Sequence, residues 1–160
     1  MQPRMTSPAL SVPGALDALQ TLGKAVNEAA SKAGLPQSTI DLVALRASQI
    51  NGCAVCLDMH TLGARKAGES DERLLTLPAW RDTPYFNDAE RAALALTEAG
   101  TRLSDRGEAV PDAVFDEAAK LYDEHALAVL VVAIANINAW NRLNVISGQV
   151  TGEWVKQWVA

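Results

Sequence analysis

Phenylalanine and tyrosine are scarce in this chain, two of each among 160 residues, and aromatic residues of all kinds amount to 5%. The 49% of hydrophobic residues is carried by Ala, Leu and Val, side chains that suit closely packed helices. No stretch shows the alternation of a half-buried strand, which excludes a β architecture. Positive charge is also short: 14 Lys and Arg against 19 Asp and Glu give a net charge of −5. Without a basic patch, nucleic acid is not an expected partner. No apolar run reaches the roughly 18 residues of a membrane span. Pro3, Pro8 and Pro13 interrupt anything resembling a secretory leader. No membrane association is therefore expected, and the cytoplasm is the expected compartment. Cysteine and histidine are equally rare, two of each. Two cysteines with no leader exclude a disulfide framework and leave redox or metal chemistry.

The rare residues fall together. Ile50-Asn51-Gly52-Cys53-Ala54-Val55-Cys56-Leu57-Asp58-Met59-His60 holds both cysteines and one histidine, with the spacing C-x-x-C-x-x-x-H. Asn51-Gly52 is a turn dipeptide that ends the preceding segment. A helix is expected from Cys53, with Arg65 and Lys66 in its last turn and Gly68 as its stop. On that helix the Cα atoms of Cys53 and Cys56 stand roughly 5 Å apart, within disulfide range. Cys56 and His60 share a face. The free N–H groups and dipole of the first turns favour a thiolate.

Such a group can reduce a peroxide. A thiolate attacks the O–O bond and becomes a sulfenic acid, and a neighbouring thiol condenses with it to a disulfide. Cys56 and Cys53 supply the thiols and His60 the proton acceptor. The same residues admit other readings. The cysteines can be packing residues, or hold a structural zinc with His60 and the remote His125, or act without a surface-exposed His60. No second C-x-x-C completes a zinc site, so neither metal nor cofactor is expected. Asp41 is read either as an exposed first-turn residue or as a carboxylate that orients His60.

The rest of the chain reads as helices. Residues 1–14 form a Pro- and Ser-rich arm, loosely ordered or lying over a neighbouring subunit, and residues 15–160 a helical domain. Leu16, Leu19, Leu22 and Val26 pattern a helix closed by Gly34. Pro36 opens a second, buried on more than one side, to about Ile50. Ser70 caps a short helix ended by Pro78, followed by a loop over 79–86. Asn87 and Glu90 make a capping box for a helix that fades near Asp105, and Arg106-Gly107-Glu108 is a loop. Pro111 opens the next helix. The apolar run Ala126–Ala135 continues to about Val145 as a central or interface-buried helix, and Ser147-Gly148 breaks it. Residues 47–52 echo residues 134–139, which suggests a duplicated helical unit.

The run from Asp41 to His60 resembles the alkylhydroperoxidase AhpD-like core of the carboxymuconolactone decarboxylase superfamily. Asn138-Ala139-Trp140-Asn141-Arg142-Leu143-Asn144 is similar to that family's C-terminal helix. The resemblance implies an all-α helical bundle that assembles as a homo-trimer or a hexamer of trimers. It implies that Cys56 is peroxidatic, that Cys53 resolves, and that His60 and Asp41 relay protons. The family's acid is usually Glu, one methylene longer than Asp41, and some members carry a second His where this chain has Val55. The implied activity is hydroperoxide reduction, with a dithiol reductant on a lipoyl-bearing protein. Three alternatives stand beside it: a dithiol–disulfide oxidoreductase or redox sensor acting on a protein partner, a decarboxylase-like enzyme, and a non-enzymatic helical oligomer. The decarboxylase branch lacks the C-x-x-C pair.

Overall fold

A computed structural model describes residues 1–104 and 107–159. Helix α3, Gln37–Asn51, stands at the centre because its sequence is apolar on three sides. Ile40 and Val43 face Val26 and Ala30 of α2 (Ala15–Lys32), Ala93 and Leu96 of α6 (Asp88–Thr101) and Leu130 and Ile134 of α8 (Glu124–Ile146). Leu42 and Leu45 pack with Leu74 of α5 (Asp71–Thr76), and with Leu77, Trp80, Phe86 and Leu94. Ala44 and Ala47 turn towards α4 (Ala54–Lys66), where they meet Val55, both cysteines and Ile137 of α8. Ala47 is fully buried, and its small side chain is what lets three helices converge beside the cysteines.

The expected boundaries hold closely for these helices. Gly34 and Gly52 end α2 and α3 at positive φ, and Asn87 and Glu90 form the capping box of α6. The 79–86 loop differs from expectation: Leu77–Asp82 is a short 3₁₀ helix. Pro78 lacks the N–H that an α-helix needs but fits a tight first turn. The turn is then fixed from outside, because Trp80 is buried and donates from Nε1 to Glu98 at 3.0 Å. Helix α6 stops at Thr101, short of Asp105; Asp105 itself and the Arg106 end of the expected loop lie outside the described residues. Helix α7 (Asp112–Leu121) follows Pro111 as expected.

Two other expectations need correction. The arm lies over its own chain: a short helix α1 (Pro8–Ser11) follows a strap in which the Arg4 backbone N–H donates to the Ser147 carbonyl at 3.0 Å. Gln149 Nε2 returns a bond to the Met5 carbonyl at 2.9 Å. The second correction concerns α8. By length and composition it could span a membrane, with 23 residues and a window of mean hydropathy 1.5, although half of that window is buried within the chain. Val131 and Val132 are exposed, so this chain alone does not enclose α8. Helix α9 (Glu153–Val159) closes the chain against α4, where Lys66 Nζ donates to the Val159 carbonyl at 2.7 Å. Thr151 Oγ1 also bonds the Asp58 carboxylate.

Candidate active site

Gly52 sets the geometry of the cysteine pair. Its φ of 67° turns the chain out of α3, a conformation that glycine reaches without a Cβ clash. The turn leaves Cys53 as the N-cap of α4, with its backbone N–H bonded to the Ser48 carbonyl at 3.0 Å. Cys53 is extended, so its sulfur faces the first turn and accepts from the Cys56 backbone N–H at 3.3 Å. The Cα atoms lie 5.4 Å apart and the two sulfurs are joined as a disulfide. The helix therefore begins one residue later than expected, which leaves the first cysteine as its cap and the second in its first turn.

A polar seam holds α3 and α8 in register beneath the pair. Asn51 Nδ2 donates to Asn138 Oδ1 at 3.0 Å and to Asn141 Oδ1 at 2.8 Å. Asn141 Nδ2 donates to Ser48 Oγ at 3.0 Å, and Ser48 Oγ to the Ala44 carbonyl at 2.7 Å. The seam joins residues of the two echoing segments. Each side-chain amide of this seam has a partner, which removes the cost of about 1–3 kcal/mol that an orphan would carry.

A cavity of about 730 Å³ opens beside the disulfide, lined by Cys56, His60 and Asp41 among others. Both cysteines are buried, Cys53 at 1% and Cys56 at 4% exposure, but only Cys56 meets the cavity. Burial depresses the His60 pKa to about 4, so the imidazole is neutral at pH 7. Asp41 lines the same cavity, yet its carboxylate accepts from Gln37 Nε2 at 3.1 Å, and no ion pair joins it to His60 among the described residues. Burial chiefly raises the Asp41 pKa, against the lowering effect of Gln37 and with a further push from the Glu69 charge. The remote His125 is exposed on the first turn of α8, and no group of three or more metal-ligating side chains gathers among the described residues.

Asn144, named above only within the stretch similar to the family's C-terminal helix, belongs to the site. Asn144 Nδ2 donates to Cys56 Sγ at 3.4 Å. Its signal was present: Asn138, Asn141 and Asn144 recur every three residues and so form one polar stripe on an apolar helix. The stripe runs along α3 and ends at the sulfur.

An all-α bundle with a disulfide-bonded cysteine pair at the start of an inner helix defines the class, and sequence comparison gives the family. The carboxymuconolactone decarboxylase family profile matches residues 13–99, and the chain belongs to this family. The uncharacterised protein YdfG of Bacillus subtilis is 38% identical over 117 residues, 73% of this chain and 78% of YdfG. The uncharacterised protein YnjA of Escherichia coli is 33% identical over 103 residues, 64% of this chain but 55% of YnjA. A solved structure of unknown function from Agrobacterium tumefaciens, with a suggested role as the antioxidant defence protein AhpD, superposes with a TM-score of 0.84 at 32% identity. It covers 94% of this chain and 99% of that one. The debrominase Bmp8 shares the fold, with a TM-score of 0.74 at 24% identity over 92% of this chain and 76% of its own. The fold is thus the AhpD-like all-α fold.

Proposed function

We propose that this chain is a dithiol peroxidase that cycles between two thiols and the Cys53–Cys56 disulfide. The observation that carries the reading is that the Cys56 sulfur meets a cavity shared with a neutral His60. In the reduced protein, His60 takes the Cys56 proton. The thiolate attacks one peroxide oxygen, the O–O bond breaks, and the departing alkoxide takes the proton from His60 and leaves as an alcohol. Cys56 is now a sulfenic acid. The Cys53 thiol attacks its sulfur, the S–S bond forms, and the hydroxyl leaves as water with the Cys53 proton. Two thiols have supplied two electrons to one peroxide.

Re-reduction follows from burial. Cys53 is sealed from the cavity, so a donor thiolate attacks Cys56. Cys53 leaves as a thiolate that accepts from the Cys56 N–H. The donor's second thiol then closes its own disulfide and releases Cys56. This geometry favours a slender dithiol, such as a lipoyl arm, over a broad protein surface. We place the reaction in the cytoplasm of the cell and in a homo-oligomer, a trimer or a hexamer.

Peroxide consumption with dihydrolipoamide as donor tests the reading. Wild type turns over, Cys56→Ser is inactive, and Cys53→Ser reacts once and yields a sulfenic acid trapped by a sulfenate-specific reagent. An adduct on Cys56→Ser but none on Cys53→Ser reverses the roles. No consumption by wild type with this donor or simpler thiols refutes the activity.

A further inference from the structure

Cys56 meets the cavity but is almost sealed from solvent, so whatever walls the cavity from outside decides what reaches its sulfur. Most of that wall belongs to packed helices. Pro3, Met5 and Thr6 of the strap also line it, and all three are exposed to solvent. Trp154 and Trp158 of α9 line the cavity and are exposed as well. A residue that meets both cavity and solvent stands at the boundary between them. The strap and α9 therefore form the outer wall.

The two segments are held differently. Helix α9 is anchored by Val155, which is fully buried. Residues 1–6 are all exposed, and the first buried residue of the chain is Ala9. The hydrogen bonds of residues 1–6 run to the turn after α8. That turn uses the carbonyls of Leu143, Asn144 and Val145 for the N–H groups of Ser147, Gln149 and Gly148. The carbonyls of Ile146 and Ser147 remain, at the negative end of the helix dipole. Arg4 takes both: its backbone N–H donates to Ser147 at 3.0 Å and its Nη1 to Ile146 at 3.1 Å. Helix α8 has no basic side chain in its own last turn, so Arg4 supplies the cation that its C-terminus lacks. Gly148 makes room for it, since an added Cβ there would lie 3.1 Å from Arg4 Cγ. The bond from Gln149 Nε2 to the Met5 carbonyl completes the latch.

We infer that Arg4 is a specificity-determining residue: docked on the C-terminus of α8, it holds the strap as a releasable outer wall of the cavity and so sets how bulky a reagent reaches Cys56. A slender reagent enters past the docked strap. A bulkier one reaches the sulfur only when the strap lifts, hinging ahead of Ala9. Lifting breaks the two Arg4 bonds and the Gln149 bond but no core packing, so it is a local opening. The inference concerns access to Cys56 and holds whichever reaction the thiols perform.

The test follows alkylation of Cys56 in full-length Cys53→Ser protein, where it is the only thiol. N-ethylmaleimide is the small probe and N-(1-pyrenyl)maleimide the bulky one. Taking the ratio of the two rates cancels any change in thiol ionisation. Arg4→Ala should raise the bulky-to-small ratio about fivefold, the upper end of a cation's ordinary effect at a helix terminus. Adding Gln149→Ala should raise it about fivefold again, the loss of one hydrogen bond. Arg4→Lys, which keeps the cation, should return the ratio to within about twofold of wild type. An unchanged ratio in the double variant overturns the inference. Equal acceleration of both probes also overturns it, because that reports general loosening rather than release of the strap. Peroxide turnover does not enter the readout, so failure of the peroxidase reading and failure of this inference are told apart.

Discussion

Cys56 is asked to ionise in a poor place for a charge. Its side chain is buried at 4% exposure, and the neighbouring imidazole is uncharged at pH 7. What remains is the dipole and free N–H groups of α4 and the Asn144 amide at 3.4 Å. A hydrogen bond to a charged group contributes about 1.5–3 kcal/mol, with sulfur acceptors at the weak end. Asn144→Leu is therefore expected to raise the Cys56 thiol pKa by about one unit, read from the pH dependence of alkylation of the reduced Cys53→Ser background. Asp41→Asn should leave that profile almost unmoved, because its carboxylate bonds Gln37 and not His60. A shift as large as that of Asn144→Leu would restore Asp41 to the relay. His60 also sets a stability window. Its folded pKa of about 4 lies below the ordinary 6.5, so the unfolded chain binds the proton first on acidification. The stabilisation is complete above pH 6.5 and is lost as pH falls towards 4, by at most about 3 kcal/mol. Asp41 acts in the opposite sense, since its raised pKa lets the folded state take up a proton first. His60→Gln should flatten the fall in Tm below pH 6.5; an unchanged slope in thermal melts would contradict the lowered imidazole pKa.

At the scale of elements, the sequence was most legible where one residue type has one structural use. Gly34 and Gly52 stop helices, Ser70 and Asn87 start them, and C-x-x-C-x-x-x-H placed the sulfurs at the cap and first turn of α4 with His60 one turn further on. It was least legible where a partner distant in sequence decides. The 79–86 stretch carries no helical periodicity, and its 3₁₀ turn is made by Glu98, which lies on another helix. Glu98 accepts from Trp80 Nε1 at 3.0 Å, from Arg81 Nη1 at 2.8 Å and from Arg46 Nε at 2.8 Å. Burial alone would raise its pKa, but these donors outweigh burial and hold the carboxyl below the ordinary range. The relation of Asp41 to His60 was illegible for the same reason. Their spacing fixes the helices but not whether Gln37 takes the carboxylate first. Breaking a buried pair by removing one partner typically costs about 3–5 kcal/mol. Glu98→Ala is thus expected to destabilise by about 3 kcal/mol in urea unfolding, since it strands Arg46 and the Trp80 N–H. A loss below about 1 kcal/mol would mean that water replaces the carboxylate and that the 3₁₀ turn stands without it.

At the scale of the whole molecule, α8 presents a face that the chain leaves uncovered. Ala128, Val131, Val132, Ala135 and Ile146 are all exposed and recur at helical spacing. Val131 is exposed at 46%, Val132 at 39% and Ile146 at 70%. The opposite face of the same helix carries the core contacts and the Asn seam. A helix that is apolar on both faces has two surfaces to bury, and this chain supplies one. The uncovered stripe is where the expected homo-oligomer would close, and a rotational assembly lets every copy bury it. The expected result is a trimer or hexamer in light scattering at micromolar concentration. Replacing Val131 and Val132 together by Glu should reduce it to smaller species, because two desolvated carboxylates in each copy oppose closure. The dissociated variant should keep its helical circular dichroism, since neither residue belongs to the core. A wild-type protein that scatters as a stable monomer and does not bind neutral phospholipid vesicles would leave the stripe without a partner and remove assembly from the reading. Vesicle binding by that monomer would instead assign the stripe to a lipid surface.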